Sequence, residues 1–250
     1  MLWSDIMPKL EPYSKHLDYS YCLGLYPSLT LLDVRPDTVQ RLLLSENGIG
    51  NEGVEKLRAR CAELGIREEI ADKVLRRESG KDNCFAALVF KKYDCRLNGD
   101  KPHAVFCRIS DLGNLGTASR AAVGFGYKDL AVVRPCVDVF DPHVLRSSMG
   151  AIFHLNLHVY DRFGDYMDEF PGREMYPFML DGAKDLNTVA SKAGKNHTLI
   201  FGNEASGLEP VFAAYGQSVK IPQSDEIDSL NLAVAASIAM YTFKNTKADE

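Results

Sequence analysis

Short apolar runs rich in β-branched and aromatic residues recur along this chain, separated by stretches whose apolar residues return every three or four positions. "CFAALVF" (84–90), "HAVFCRIS" (103–110), "LAVVRP" (130–135) and "HTLIFGN" (197–203) are of the first kind. "NEGVEKLRARCAELG" (51–65) is of the second, with Val54, Leu57, Cys61 and Leu64 at helical spacing and Gly65 placed to end the helix. Apolar runs bounded by turn residues suit buried strands, and their alternation with helices predicts an α/β fold with a mostly parallel sheet.

The alternation is interrupted at "KKYDCRLNGDKPH" (91–103), a polar, turn-rich stretch. We place a domain boundary there: a small α/β domain over 1–95, opening with a helix or arm of about 18 residues, and a larger domain over 96–250. The first domain's further strands are "YCLGL", "RLLLSE" and "GIREEIA". The second adds strands "YPFMLDG" (176–182) and "SVKIP" (218–222), with helices over 114–126 and 141–155. A last helix starts near Ser229, its expected N-cap. In "SLNLAVAASIAMYTFKN" the apolar residues point in nearly every direction, so this helix should be buried on nearly every side. Its alanines allow close approach, to the sheet and to a second subunit.

The formal net charge of −5 rules out an overall basic field, so any nucleic acid must be held by local patches. Lys73, Arg76, Arg77 and Lys81 form one such set, or else a solvated helix end. No apolar run approaches the ~18 residues of a membrane span, and the opening residues lack a secretory h-region; the cytoplasm is the expected address. Six cysteines form no CxxC pair and the histidines share no ligand spacing, so no metal is expected.

Three loops that follow strands could hold chemistry, because open α/β sheets bind ligands there. "SDLGNLGTASRAA" (110–122) feeds glycines into a helix start: either an anion site with Asn114 and Arg120, or a capped helix with a surface arginine. "LIFGNEASGLEP" (199–210) sets Glu204 between Gly202 and Gly207, a ligand loop or a turn with a solvated carboxylate. "IPQSDEIDSLNLAVA" (221–235) brings Ser229 and Asn231 to the start of the apolar helix, as ligand groups or as an N-cap.

Together the three loops resemble the SpoU/TrmH-type RNA 2′-O-ribose methyltransferases of the SPOUT superfamily. Asn114, Gly116 and Arg120 match the first motif of that family, Gly202, Glu204 and Gly207 the second, and Ile221, Pro222, Ser229, Leu230 and Asn231 the third. The likeness is strong over 103–243 and weaker over 18–93, where it suggests a small substrate-binding domain. Leu112, Gln223 and Ala233 depart from the commoner residues of the motifs.

The resemblance implies a C-terminal trefoil knot, a homodimer through the knotted domain, and S-adenosylmethionine as cofactor. Gly202, Asn203, Gly207, Ile221, Leu230 and Leu180 would bind it. The implied reaction is methyl transfer to a ribose 2′-hydroxyl of tRNA or rRNA, rRNA favoured. Arg120 would act at the target ribose, as base or as phosphate clamp; an arginine pKa above ~12 favours the clamp. Asn114, Glu204, Ser229 and Asn231 would orient Arg120 and the substrate. A non-catalytic RNA-binding relative and a generic nucleotide-binding enzyme are the competing readings.

Overall fold

The computed structural model describes residues 9–180 and 183–246 and divides the chain into two units: 1–92 with 140–142, and 93–139 with 143–250.

The first unit runs β1 (Tyr19–Leu23), α1 (Leu25–Val34), β2 (Val39–Leu44), α2 (Glu52–Glu63), β3 (Arg67–Ile70), α3 (Asp72–Ser79) and β4 (Ala86–Lys91). Its sheet has the order β1-β4-β2-β3. β4 is antiparallel to both β1 and β2, and only β2 and β3 run parallel, so the parallel expectation fails in this unit. One helix, α1, escaped the sequence reading, and α3 was read only as a possible solvated helix end at Lys73, Arg76, Arg77 and Lys81. α1 follows Gly24, whose φ of 93° turns the chain out of β1, where a strand was expected to continue to Leu25. α3 is short and charged, with Leu75 its buried residue. α2 forms as expected: the Asn51 side chain accepts from the Gly53 and Val54 N–H groups, and Val54, Leu57 and Cys61 are buried. Residues 9–18 are irregular, not helical; residues 1–8 of the expected arm lie outside the described residues.

The second unit runs β5 (His103–Cys107), α4 (Leu112–Phe125), β6 (Asp129–Val133), α5 (Pro142–Ser147), β7 (Asn156–Tyr160), α6 (Phe163–Glu169), β8 (Glu174–Pro177), β9 (Lys184–Asp185), α7 (Leu186–Ala190), β10 (His197–Phe201), β11 (Val219–Lys220) and α8 (Leu232–Asn245). Five strands form a wholly parallel sheet, β7-β6-β5-β10-β8, and β9 pairs with β11 beside it. The chain leaves β5 toward β6 and β7, then returns on the other side, so strand order reverses between β5 and β10. Such a switch point leaves a crevice at the carboxyl ends of the strands.

The helix expected over 141–155 is broken. Met149 and Gly150 both have left-handed backbones (φ 52° and 79°), which end the helical run; a 3₁₀ turn, Ala151–His154, then delivers the chain to β7, a strand the sequence reading missed. α8 begins at Leu232, not near Ser229. Its cap is Asn231, whose side-chain oxygen accepts from the Ala233 and Val234 N–H groups. One face of α8 is buried (Ala233, Ala236, Ala239, Met240, Phe243), while Val234 and Tyr241 remain about half exposed. No helix among the described residues is long and apolar enough to cross a membrane.

Candidate functional site

At the switch point the loop after β5 faces the loop after β10. The second loop doubles back tightly: Asn203 N–H donates to the Gly207 carbonyl at 3.2 Å, and Gly207 N–H to the Asn203 carbonyl at 2.9 Å. Gly207 has φ +64°, a conformation that favours glycine. A Cβ on Gly202 would stand 2.2 Å from the Gly207 carbonyl carbon, so this glycine is required by the chain's own backbone before any ligand is considered.

Glu204 fastens the two loops together. One carboxylate oxygen accepts from the Ser110 N–H (3.1 Å) and hydroxyl (2.8 Å). The other accepts from the Asp111 N–H (3.0 Å) and the Asn114 amide (3.2 Å). Burial opposes ionisation, but these bonds and one from its own backbone outweigh it and hold the carboxyl below the ordinary glutamate range. Asn203 adds a second tie, its amide donating to the Arg108 carbonyl at 2.9 Å.

The third loop joins through two asparagines. The Asn231 amide donates to the Asn114 side-chain oxygen at 2.9 Å while its own oxygen caps α8. Asp111 caps α4 by accepting from the Asn114 N–H at 2.6 Å. Glu204, Asn114 and Asn231 thus form one hydrogen-bonded chain that links all three sequence motifs. Gly116 lets α4 pack closely: a Cβ there would lie 1.8 Å from the Ser147 hydroxyl and 2.7 Å from the Val144 carbonyl.

Against these loops opens a cleft of about 580 Å³, within the range of small-molecule sites. All six expected cofactor residues line it (Leu180, Gly202, Asn203, Gly207, Ile221, Leu230), with Glu204 and Ser229. Phe178 and Phe201, which stack at 4.7 Å, supply aromatic wall that sequence reasoning missed; the apolar run ending at Leu180 was its one signal. Gln223 pins the third loop by donating to the Ile227 and Asp228 carbonyls, both at 3.3 Å. Ser229 lines the cleft without a hydrogen-bond partner among the described residues.

Arg120 stands apart. It is exposed on α4, and no hydrogen bond or ion pair joins it to Glu204, Asn114, Ser229 or Asn231. Glu204's partners include Ser110 and Asp111, which sequence reasoning did not single out, beside the expected Asn114.

A second cavity of about 510 Å³ borders the first, sharing Asn203 and Ser206 with it. Arg108 lies in its wall with a left-handed backbone, φ 58°. That conformation costs a non-glycine residue about 1–3 kcal/mol. Its guanidinium pairs with Glu209 at 2.7 Å, but a pair this exposed returns at most about 1 kcal/mol. Nearby Cys107 is no nucleophile: burial pushes its thiol up to about 12.

Comparison with known proteins gives a consistent picture. The model of the SpoU rRNA Methylase family matches residues 101–241. An uncharacterized tRNA/rRNA methyltransferase of Synechocystis is 31% identical over 147 residues, 56% of this chain and 53% of that protein. The 23S rRNA (guanosine(2553)-2′-O)-methyltransferase RlmP of Bacillus subtilis is 29% identical over 136 residues, 53% of this chain and 54% of that protein. The chain thus spans about half the length of the curated relatives it matches. Among solved structures, an rRNA methyltransferase from Sinorhizobium meliloti superposes with a TM-score of 0.76 at 25% identity, covering 91% of this chain and 87% of that one. The SpoU methyltransferase AviRb from Streptomyces viridochromogenes shares the fold, with a TM-score of 0.79 at 21% identity over 92% of this chain and 90% of that one.

Proposed function

The chain belongs to the SpoU rRNA methylase family, and on that premise we propose that it transfers a methyl group from S-adenosylmethionine to a ribose 2′-hydroxyl of RNA, ribosomal RNA first. The observation that carries the reading is the hydrogen-bonded chain Glu204–Asn114–Asn231, which ties the three motif loops around one cleft. The cleft fits the cofactor: Leu180, Ile221 and Leu230 offer apolar surface for an adenine, and the loop from Gly202 to Gly207 offers backbone polar groups. S-adenosylmethionine, when bound, supplies a methyl group already activated on a sulfonium.

What remains for the protein is alignment, a contribution that reaches about 7–11 kcal/mol in well-oriented cases. Glu204 does not touch the reacting atoms in this account; it fixes the loop after β5 and, through Asn114, the start of α8. Arg120, exposed on α4 and without a hydrogen-bond or ion-pair partner among the described residues, is suited to hold a phosphate of the acceptor RNA. The 2′-hydroxyl gives up its proton to solvent water as its oxygen takes the methyl group.

The second unit is proposed to carry the trefoil knot. A close approach of distant chain segments supports this: a Cβ on Gly216 would lie 2.0 Å from the Met175 carbonyl oxygen. A homodimer is proposed through α8, whose exposed Val234 and Tyr241 continue onto Phe125, 5.6 Å from the Tyr241 ring. The first unit is proposed to bind RNA through local basic residues. Arg76 and Arg77 there already pair with Asp82 and Glu78, so this patch is partly neutralised.

Titration calorimetry and a methyl-transfer assay test the reading. S-adenosylmethionine binds the wild type, and Arg120→Ala keeps its fold and cofactor affinity but loses transfer. An active Arg120→Ala enzyme would sink the assignment of Arg120; absence of cofactor binding would favour an RNA-binding relative without catalysis.

A further inference from the structure

The second cavity, at the carboxyl ends of β5 and β6, has no part in the account of the cofactor cleft. Its walls are of two kinds: Ile109, Pro135 and Val137 are apolar, while Arg108 and Ser110 are polar. The two loops that form it are stitched together, Arg108 N–H donating to the Val133 carbonyl and Val137 N–H to the Ile109 carbonyl, both at 3.0 Å. It is therefore a built concavity and not a gap between mobile loops.

Arg108 is the residue that needs explaining. Its backbone occupies a left-handed conformation that glycine would adopt without strain, and the exposed pair with Glu209 does not offset that strain. A guanidinium carries five N–H donors. Here Nη1 donates to Glu209, and the others find no acceptor among the described residues. The side chain thus presents most of a phosphate-binding fork beside an apolar wall. Because this cavity shares Asn203 and Ser206 with the larger cleft, whatever fills it lies next to that cleft.

We propose that this second cavity receives a nucleotide of the acceptor RNA, with its phosphodiester on the Arg108 guanidinium and its base against Ile109, Pro135 and Val137. Glu209 holds the guanidinium until the phosphate displaces it. The inference rests on the RNA methyltransferase reading and adds to it a residue outside the three family motifs.

The test uses the full chain, ribosomal RNA transcribed in vitro without modification as the probe, and tritiated S-adenosylmethionine. Arg108→Gly suits the backbone at φ 58°, so its melting temperature equals or exceeds that of the wild type; Arg108→Gln removes the charge at similar length. Both variants bind the RNA about tenfold more weakly, and the slope of log affinity against log salt falls by about 1, as for one lost phosphate contact. The KM for RNA rises while kcat stays within a few-fold, and cofactor affinity stays within about twofold. Glu209→Gln, which frees the guanidinium, tightens RNA binding about threefold. Unchanged RNA affinity and slope in both arginine variants, alongside intact cofactor binding and transfer, overturn the subsite alone. A matching loss of cofactor affinity also overturns it, because Arg108 would then serve the cofactor. A wild type that neither binds the cofactor nor transfers methyl overturns the functional reading with it.

Discussion

Replacing Glu204 by glutamine keeps the side chain's length and removes one acceptor oxygen and the charge. The carboxylate accepts from two backbone N–H groups, one hydroxyl and two side-chain amides, the second of them from Asn203 at 3.3 Å. Glutamine's single oxygen can serve the donors on one side only, and its NH₂ must face those on the other. Facing Ser110, the hydroxyl can turn and accept and the Asn203 amide keeps the Arg108 carbonyl, but the Ser110 N–H loses its partner. Facing Asp111 and Asn114 is worse, since the Asn114 oxygen is already engaged by Asn231 and its amide cannot flip without cost.

One charge-assisted hydrogen bond is therefore lost and the others weaken. Bonds to charged groups contribute about 1.5–3 kcal/mol. The site is partly open to water, so the expected loss is about 1–2 kcal/mol. For a domain of 150–250 residues that is a fall in Tm of about 2–8 °C, read by thermal unfolding at pH 7.

The same experiment has a second arm in pH. The carboxyl's folded pKa is depressed, so its contribution is present above the unfolded value and is lost as pH falls through the folded one. The gap between wild type and Glu204→Gln must close in acid, below the ordinary carboxylate range. No gap at pH 7, or one that widens on acidification, would refute the argument that an ionised Glu204 binds the loops together.

Three further outcomes follow from the geometry. Gly202→Ala drives a Cβ into the Gly207 backbone and destabilises by about 3 kcal/mol or more, seen as loss of soluble protein or a large drop in Tm. Gly116→Ala destabilises too, and Ser147→Ala restores only part of the loss, because the Val144 carbonyl still blocks the methyl group. His103 sits in a buried chain: Nε2 faces the Asn98 carbonyl, which can only accept, so the Tyr166 hydroxyl donates to Nδ1. Burial lowers its pKa to about 4. The unfolded chain then binds the extra proton more readily, so stability falls as pH drops from about 6.5 toward 4, by an amount on the order of 3 kcal/mol. His103→Gln flattens that part of the pH profile, measured by denaturant unfolding.

The parallel sheet of the second unit was readable because β5, β6 and β10 are continuous apolar runs, the pattern of strands buried on both faces. β7 was not, because "NLHVY" follows directly on an apolar helix and periodicity cannot separate the two; the break is made by left-handed Met149 and Gly150. In the first unit, antiparallel pairing depends on which strands meet across the chain, and no local pattern states that.

The site was legible as three loops but not as a network. Spacing alone could not show that Glu204 would find Ser110 and Asp111 in place of Arg120, or that Asn231 would both cap α8 and hold Asn114. Asn231, conspicuous at the start of so apolar a helix, is explained by those two bonds. Gly202 is explained by the tight return of its own loop at Gly207, which only the folded chain reveals.

The central claim is a methyl group placed on a ribose oxygen of RNA. Ribose methylation should be mapped across the ribosomal and transfer RNA of cells with and without this gene, by resistance of the 3′ phosphodiester to alkali. The account predicts one 2′-O-methylated nucleotide present only with the gene, restored by the wild-type chain and not by Arg120→Ala. Identical ribose-methylation maps in the two strains, or a gene-dependent methyl group found on a base, would contradict it.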